Sequence, residues 1–345
     1  MNTAKLPSNF TARGATMKDV ETAANLMNTF SQHYLGTDEA PLDVIRNEWV
    51  SPGFNPATDV RLVFSPEGKP IGYVEVWDTS NPPVHPWVWW CVHPESPGNG
   101  VGSYLLSWAE GRAKKAIPRC PEGARVAFRS GADSTIESAK KIMEAYGMVN
   151  IRHNFQMRIE MDTPPPEPVW PEGIKLKVFD LEHDDLAEIY RTDVETFRDH
   201  FGFIESPFEE GYERFVHFMT DDEAYAPGLW FMAVTNSSHV GQNQTVGICL
   251  NRKYSYEDPE IGWVSSLGVL RGWRQHGIGL ALLQQSLGEF YRRGYRKVGL
   301  GVDAENLTGA LRLYQKAGMH IHRQFDLYEK ELRPGEEISV ESLGD

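Results

Sequence analysis

Two stretches of this 345-residue chain carry paired glycines where a strand gives way to a helix. The first reads Val92-His-Pro-Glu-Ser-Pro97-Gly-Asn-Gly100-Val-Gly102, and the second Val269-Leu-Arg-Gly-Trp-Arg274-Gln-His-Gly277-Ile-Gly279. In both, the valine stands eight residues before the first of the paired glycines. A strand–turn–helix of this kind leaves backbone N–H groups unpaired at the positive end of the helix dipole, which suits a phosphate. Gly277 and Gly279 keep side chains out of the approach, so the N–H groups of Gly277, Ile278, Gly279 and Leu280 can grip a diphosphate. Arg274 adds a cation, and Gln275 and His276 complete the turn. Val92, Gly98, Asn99, Gly100, Val101, Gly102 and Ser103 form a second candidate phosphate site, with Pro97 in the place of Arg274. Two copies in one chain point to a duplicated phosphate-binding unit.

The elements needed to hold these turns can be read in the same order in each half. The first half predicts a strand near Ala12–Thr16, a helix from Asp19, a helix over Leu42–Trp49 and strands at Val60–Ser65, Pro70–Trp77 and Val88–Val92. After the turn come a helix over Gly102–Ala116, a strand at Arg125–Arg129, a helix over Thr135–Tyr146 and a strand at Asn154–Glu160. The second half repeats the plan: strand Ile174–Phe179, helices Asp184–Phe197 and Phe208–Met219, and strands Leu229–Thr235, Thr245–Arg252 and Gly262–Leu270. Helix Ile278–Arg293, strand Lys297–Val302, helix Leu307–Lys316 and strand His322–Lys330 complete it. The polar run Asn236-Ser-Ser-His239 reads as a hairpin loop. Prolines 164, 165, 166, 168 and 171 mark a semi-rigid connector. The expected division is therefore 1–162, a linker at 163–173, a second domain at 174–333 and an acidic, disordered tail at 334–345.

Composition narrows the function classes. At 41% hydrophobic and 24% charged the chain is an ordinary globular protein. Its net charge of −14 disfavours nonspecific binding to nucleic acid or anionic lipid and would attract a cationic amine. No apolar run reaches the roughly 18 residues of a membrane span, and the N-terminus lacks a secretory stretch. Three dispersed cysteines (Cys91, Cys120, Cys249) suit a reducing cytoplasm and no structural zinc. Cys91 reads as a buried thiol rather than a nucleophile, and His320 and His322 lack a third metal ligand. The turns are not Rossmann or P-loop motifs: an antiparallel meander precedes them, no suitable acidic residue ends the next strand, and no Lys-Ser/Thr follows the glycines.

The Arg274-Gln-His-Gly277-Ile-Gly279 turn, the strand before it and the segment Val302–Met319 resemble the GNAT family of acyl-CoA-dependent N-acyltransferases. The likeness spans nearly all of both halves and suggests tandem GNAT-like domains, an arrangement also found in mycothiol synthase. It implies an α/β (α+β) fold, each domain a mixed, mostly antiparallel sheet flanked by helices with a splayed central strand pair. It also implies transfer of acetyl from acetyl-CoA to a small-molecule or peptide amine by direct attack in a ternary complex, in the second domain. By the same resemblance Leu267, Gly268 and Val269 line the splayed strand that binds the pantetheine arm, Asn306 contacts the cofactor, and Tyr314 reaches the thioester sulfur. The amine must lose a proton, for which Glu260 or Glu195 is the expected base, with Asp199 and His200 as further candidates. In the first half Met143 falls opposite Tyr314, Thr135 opposite Asn306, and Tyr146 lies three residues beyond Met143. That half is expected to be a poor catalyst, either still binding phosphate or purely structural. The competing reading is a noncatalytic acyl-CoA sensor or interaction module.

Overall fold

The computed structural model describes residues 4–221, 223–235, 244–306 and 309–341. In the first half the elements are β1 (Thr11–Arg13), α1 (Val20–Leu35), α2 (Leu42–Trp49), α3 (Pro56–Asp59), β2 (Val60–Phe64), β3 (Pro70–Trp77) and β4 (Trp87–Val92). Then follow α4 (Val101–Ala113), β5 (Val126–Asp133), α5 (Glu137–Ala145) and β6 (Val149–Glu160). In the second half come β7 (Ile174–Val178), α6 (Leu186–Phe197), α7 (Phe208–Thr220), β8 (Phe231–Thr235), β9 (Thr245–Arg252) and β10 (Ile261–Val269). They continue with α8 (Ile278–Arg292), β11 (Lys297–Asp303), α9 (Ala310–Lys316) and β12 (His320–Arg333). The expected elements are present, most of them within a few residues of their expected ends. The Asn236–His239 loop and Leu307, the expected first residue of the last helix, lie outside the described residues.

The chain forms two compact units, and they are not simply its two halves. One comprises Met1–His153, Ser206–Asp222 and Phe325–Ile338; the other comprises Asn154–Glu205, Glu223–Gln324 and Ser339–Asp345. The first unit's sheet runs β1-β2-β3-β4-β5-β12 and the second's β6-β11-β10-β9-β8-β7. The strand expected to close the first half instead pairs antiparallel with β11, Asn154 opposite Asp303 and Glu160 opposite Lys297. Likewise Phe325–Arg333 of β12 pairs antiparallel with β5 in the first unit. A strand's alternating pattern states which face is buried but not which edge it joins, so sequence alone cannot specify this exchange. Helix α7 also belongs to the first unit, where His217 Nε2 donates to the Asn47 carbonyl at 2.8 Å and the Phe218 ring lies near Trp77. The tail expected to be disordered is instead anchored through its described part. Arg125 N–H donates to the Glu336 carbonyl at 2.7 Å in the first unit, and Gly202 N–H to that of Val340 at 2.7 Å in the second.

In the first unit, β3 buries Val74 and Val76 against Leu105 and Leu106 of α4, and Tyr73 on its other face against Trp49 of α2. In the second, α8 repeats apolar residues at helical spacing, and Leu282, Leu283, Leu287 and Phe290 are all fully buried against the sheet. Each such side chain contributes about 1.5–3 kcal/mol of burial, so the helix whose N-terminus carries the glycine turn is firmly seated. Gly262 permits that seating: a Cβ there would stand 2.5 Å from the Phe290 ring.

One feature of the first unit's core is electrostatically costly. Glu75 on β3 is buried and accepts a 2.5 Å hydrogen bond from the Tyr73 hydroxyl, and neither it nor Glu48 of α2 has a cationic partner among the described residues. Burial, and then the negative charge of Glu75, push the Glu48 carboxyl up to about 8. A carboxyl that holds its proton more tightly when folded stabilises the fold below its unfolded value, and that contribution is lost as pH rises through the folded value. We expect wild-type melting temperature to fall between pH 5 and 9, and Glu48→Gln to reduce that fall by roughly 3–8 °C, as read by thermal denaturation across pH.

Candidate active site

The second unit contains a break in its sheet beside the glycine turn. Strands β10 and β11 run parallel and pair from Ile261–Lys297 to Val264–Leu300, and no further. On its other edge β10 stays paired with β9 as far as Val269–Gly247, with a register shift between Val264 and Ser266. Past Val264, therefore, the β10 edge that faces β11 is bare backbone. On β11, Gly301 is exposed, and a Cβ added there would meet nothing within 4 Å. The result is a wedge-shaped gap bordered by Ser265 to Val269, whose backbone groups on that edge suit an amide-rich chain laid alongside as another strand, apart from the Val269 carbonyl, which accepts from Arg274 Nε.

At the end of β10 the turn enters α8 through Gly277, which is left-handed at φ 87° and provides no side-chain cap. The first turn of the helix holds no acidic residue, so nothing on it competes with an anion for the free N–H groups. Gln275 is also left-handed, at φ 66°, a conformation uncommon outside glycine. The first unit's loop has the same shape, with Gly98 at φ 73° and Gly100 at φ 75° in the equivalent places. Gln275 thus adopts in the second loop a conformation that glycine supplies in the first, and strain of this sort is concentrated at functional turns.

Arg274 has a different employment from the one expected. Its Nε donates to the Val269 carbonyl at 3.0 Å, Nη2 to the Thr196 carbonyl at 3.0 Å and Nη1 to the Asp199 carboxylate at 2.6 Å. It therefore ties the turn to the end of α6, with its charge already balanced by Asp199. Asp199, engaged in that pair, is not free to serve as a base. His200 is half-buried, and burial together with the charge of Arg274 lowers its affinity for a proton, leaving the imidazole neutral near pH 7.

The two faces of β10 carry different chemistry. Ser266 and Gly268 face α6: the Ser266 hydroxyl bonds the Asp193 carboxylate, and a Cβ on Gly268 would stand 2.1 Å from Thr196 Oγ1. Leu267 is paired with Cys249, which lies on the opposite, α8 side and contacts Ser286 there. Tyr314 of α9 is on this side too, only 7% exposed, with no hydrogen bond from its hydroxyl to the described residues. Burial, and then the nearby Cys249, push the tyrosine up from its usual range, so the hydroxyl remains a proton donor at neutral pH. Cys249 is itself pushed up to about 12 by burial, as is Cys91 in the first unit, so both thiols are inert. Asn306, half-buried, follows β11, and its N–H donates to the Asp303 carbonyl at 3.0 Å.

The structure does not bring the expected bases to the gap. Glu260 precedes the first residue of β10, seven residues from Leu267, or about 20 Å along a strand. It lines instead a surface pocket of about 430 Å³ with Arg293, Arg296 and Lys297. Glu195 projects from the exposed side of α6 and bonds Arg198 at 2.9 Å. Asp193, two residues earlier, lies on the side of the helix that meets β10. Sequence reasoning passed it over, although the signal was present: Ile189, Thr192 and Thr196 mark the buried face, and Asp193 stands one turn after Ile189.

The close approach of α6 to β10 depends on the missing side chain at residue 268. Gly268→Ala is expected to cost about 1–3 kcal/mol through overpacking, lowering the melting temperature by roughly 3–9 °C in a thermal denaturation experiment.

In the first unit, β4 and β5 pair in parallel only at Trp87–Arg129 and Val88–Ser130, so the divergence is repeated. The hydroxyl is not. Met143 is fully buried in the core, and the Tyr146 hydroxyl donates to Glu110 at 2.7 Å with Lys330 over its ring. Thr135 is engaged with Asp133.

A sheet that opens at one parallel pair, with a bare helix N-terminus at the opening, is the arrangement expected from the resemblance to the GNAT family. The chain belongs to the acetyltransferase (GNAT) family, whose model matches it twice, over residues 24–127 and 186–319. It is a GNAT N-acetyltransferase with two tandem GNAT regions, in a family that draws on an acyl-CoA donor. It is similar to a GCN5-related N-acetyltransferase of Sphaerobacter thermophilus, with 34% identity, a TM-score of 0.78 and coverage of 97% of this chain and 100% of that one. The mycothiol acetyltransferase of Thermobispora bispora is 27% identical over 258 residues, 75% of this chain and 79% of that protein. A tandem GNAT protein of the clavulanic acid pathway shares the fold at 15% identity and TM-score 0.66, covering 95% of this chain and 100% of that one. No helix among the described residues is long and apolar enough to cross a membrane.

Proposed function

We propose that the second unit moves an acetyl group from acetyl-CoA to a primary amine by direct attack within a ternary complex. The observation that carries this reading is the β10–β11 gap, which opens beside the Gly277-capped helix and has Tyr314 on one side. The diphosphate would rest on the N–H groups of residues 277–280, and the pantetheine amides would add to the bare edge at Leu267–Val269. The acyl carbonyl would then lie in the gap, where a backbone N–H can stabilise the oxygen that gains charge. Tyr314, kept protonated by burial, would supply a hydrogen bond or proton to the departing sulfur. The first unit retains the loop shape but commits its tyrosine to Glu110, and we assign it no transfer.

The acceptor is a small amine or a peptide amine, and the name of the relatives makes the mycothiol precursor the first compound to try. The experiment is a thiol-release assay with acetyl-CoA and a panel of amines including that precursor, paired with calorimetry of CoA binding. Turnover with one of the amines is expected. CoA binding without any turnover would favour a sensor, and no binding at all would remove the reading.

A further inference from the structure

We propose that Asp193 is the base that takes the proton from the attacking amine, held toward the gap by the Ser266 hydroxyl. This rests on the reading of the second unit as the site of transfer. Ser266 Oγ donates to Asp193 Oδ1 at 2.5 Å, which places the carboxylate one residue from Leu267, on the α6 side of β10. The side opposite belongs to Tyr314. An amine entering from α6 and a sulfur leaving toward α9 would therefore meet proton-handling groups on opposite sides of one carbonyl, as an addition–elimination through that gap requires.

Asp193 accepts from Ser266, and the charged groups around it are engaged elsewhere. Strand β10, from Ile261 to Val269, carries no charged side chain. On α6, Glu195 bonds Arg198, Glu188 accepts from Thr245 of β9 at 2.8 Å, and Arg191 approaches Asp185 at 3.8 Å. Arg274 is paired with Asp199, and Arg252 of β9 lies over the Tyr256 ring. No cation pairs with Asp193 among the described residues. Burial pushes its carboxyl up to about 6, against the opposing hydrogen bond from Ser266, which brings it toward the range of a working base.

The acceptor arrives as an ammonium and gives one proton to the Asp193 carboxylate, which later releases it to water. The free amine forms the C–N bond at the thioester carbonyl as the C–S bond breaks. Tyr314 donates its hydroxyl proton to the sulfur and regains one from the nitrogen through water.

The test uses the full-length protein with acetyl-CoA and each amine of the panel. Asp193→Asn is expected to lower kcat by about 10²- to 10⁴-fold, with acetyl-CoA affinity by calorimetry unchanged, and to erase an acidic limb near pH 6 in kcat/KM. Asp193→Glu should recover part of the rate. Ser266→Ala should move the acidic limb to higher pH, since the carboxylate loses its donor, and this variant also reads the role if Asp193→Asn fails to fold. Unchanged kcat and pH profile in a folded Asp193→Asn overturns the assignment and leaves the second-unit site standing. Wild-type protein that neither binds acetyl-CoA nor releases thiol with any amine overturns both.

Discussion

Tyr314→Phe is expected to lower kcat by about 10²-fold or more while leaving calorimetric affinity for CoA within a factor of two or three. The phenyl ring keeps the packing of a residue that is only 7% exposed, so the fold and the diphosphate grip should survive. What is lost is one hydroxyl that burial keeps protonated and that has no described protein partner to satisfy it. A thiolate leaving into a partly desolvated gap is strongly basic compared with what a transferase needs, and a placed donor lowers that barrier chiefly in the transition state. The effect should therefore fall on kcat and not on binding. Steady-state kinetics with the best panel amine, alongside the calorimetry, separates the two; a variant with wild-type kcat would remove Tyr314 from the chemistry and leave the fold assignment intact.

Gly277→Asp should weaken CoA binding by about 10²-fold or more, while the strain of a side chain at φ 87° lowers the melting temperature by a few degrees. Aspartate is among the side chains that oppose a left-handed backbone least, although the usual capping geometry needs an extended residue there. Space is available, since a Cβ at residue 277 meets nothing within 4 Å. The new carboxylate would occupy the free N–H groups of α8 and repel the diphosphate across a few ångströms. The equivalent change in the first unit, Gly100→Asp, is expected to leave turnover unaltered. If Gly277→Asp binds CoA normally, the diphosphate does not sit on the second unit's helix.

Much of this architecture was legible in the sequence because it is local. The helix face of Leu283, Leu287 and Phe290, the strand before each turn and the glycines of the turns are specified within short windows. The exchange of closing strands was not legible, because Asn154–Glu160 and Phe325–Arg333 look alike as strands whichever edge they join. The tail from Pro334 was misjudged for a related reason: its anchors at Arg125 and Gly202 are remote in sequence. Within the site, the glycine turn opens α8 and Tyr314 is buried on the α8 side of the sheet, whereas the placement of the carboxylates depends on geometry that motifs do not encode. Glu260 is close to the gap in sequence terms but a strand length away, and Glu195 is one helix face removed from Asp193. Arg274 shows the same limit. Its spacing marks it as part of the turn, yet its hydrogen bonds to Val269 and Thr196 make it a brace for the loop.

Acetyl-CoA is expected to lie with its diphosphate on residues 277–280 and its acyl group in the gap between β10 and β11. A crystal structure of the protein with CoA tests it most directly. The expected result is the diphosphate within hydrogen-bond distance of those amides and the thiol end between Leu267 and Tyr314. CoA bound only at residues 98–103, with Ser265–Val269 covered by protein, would contradict it.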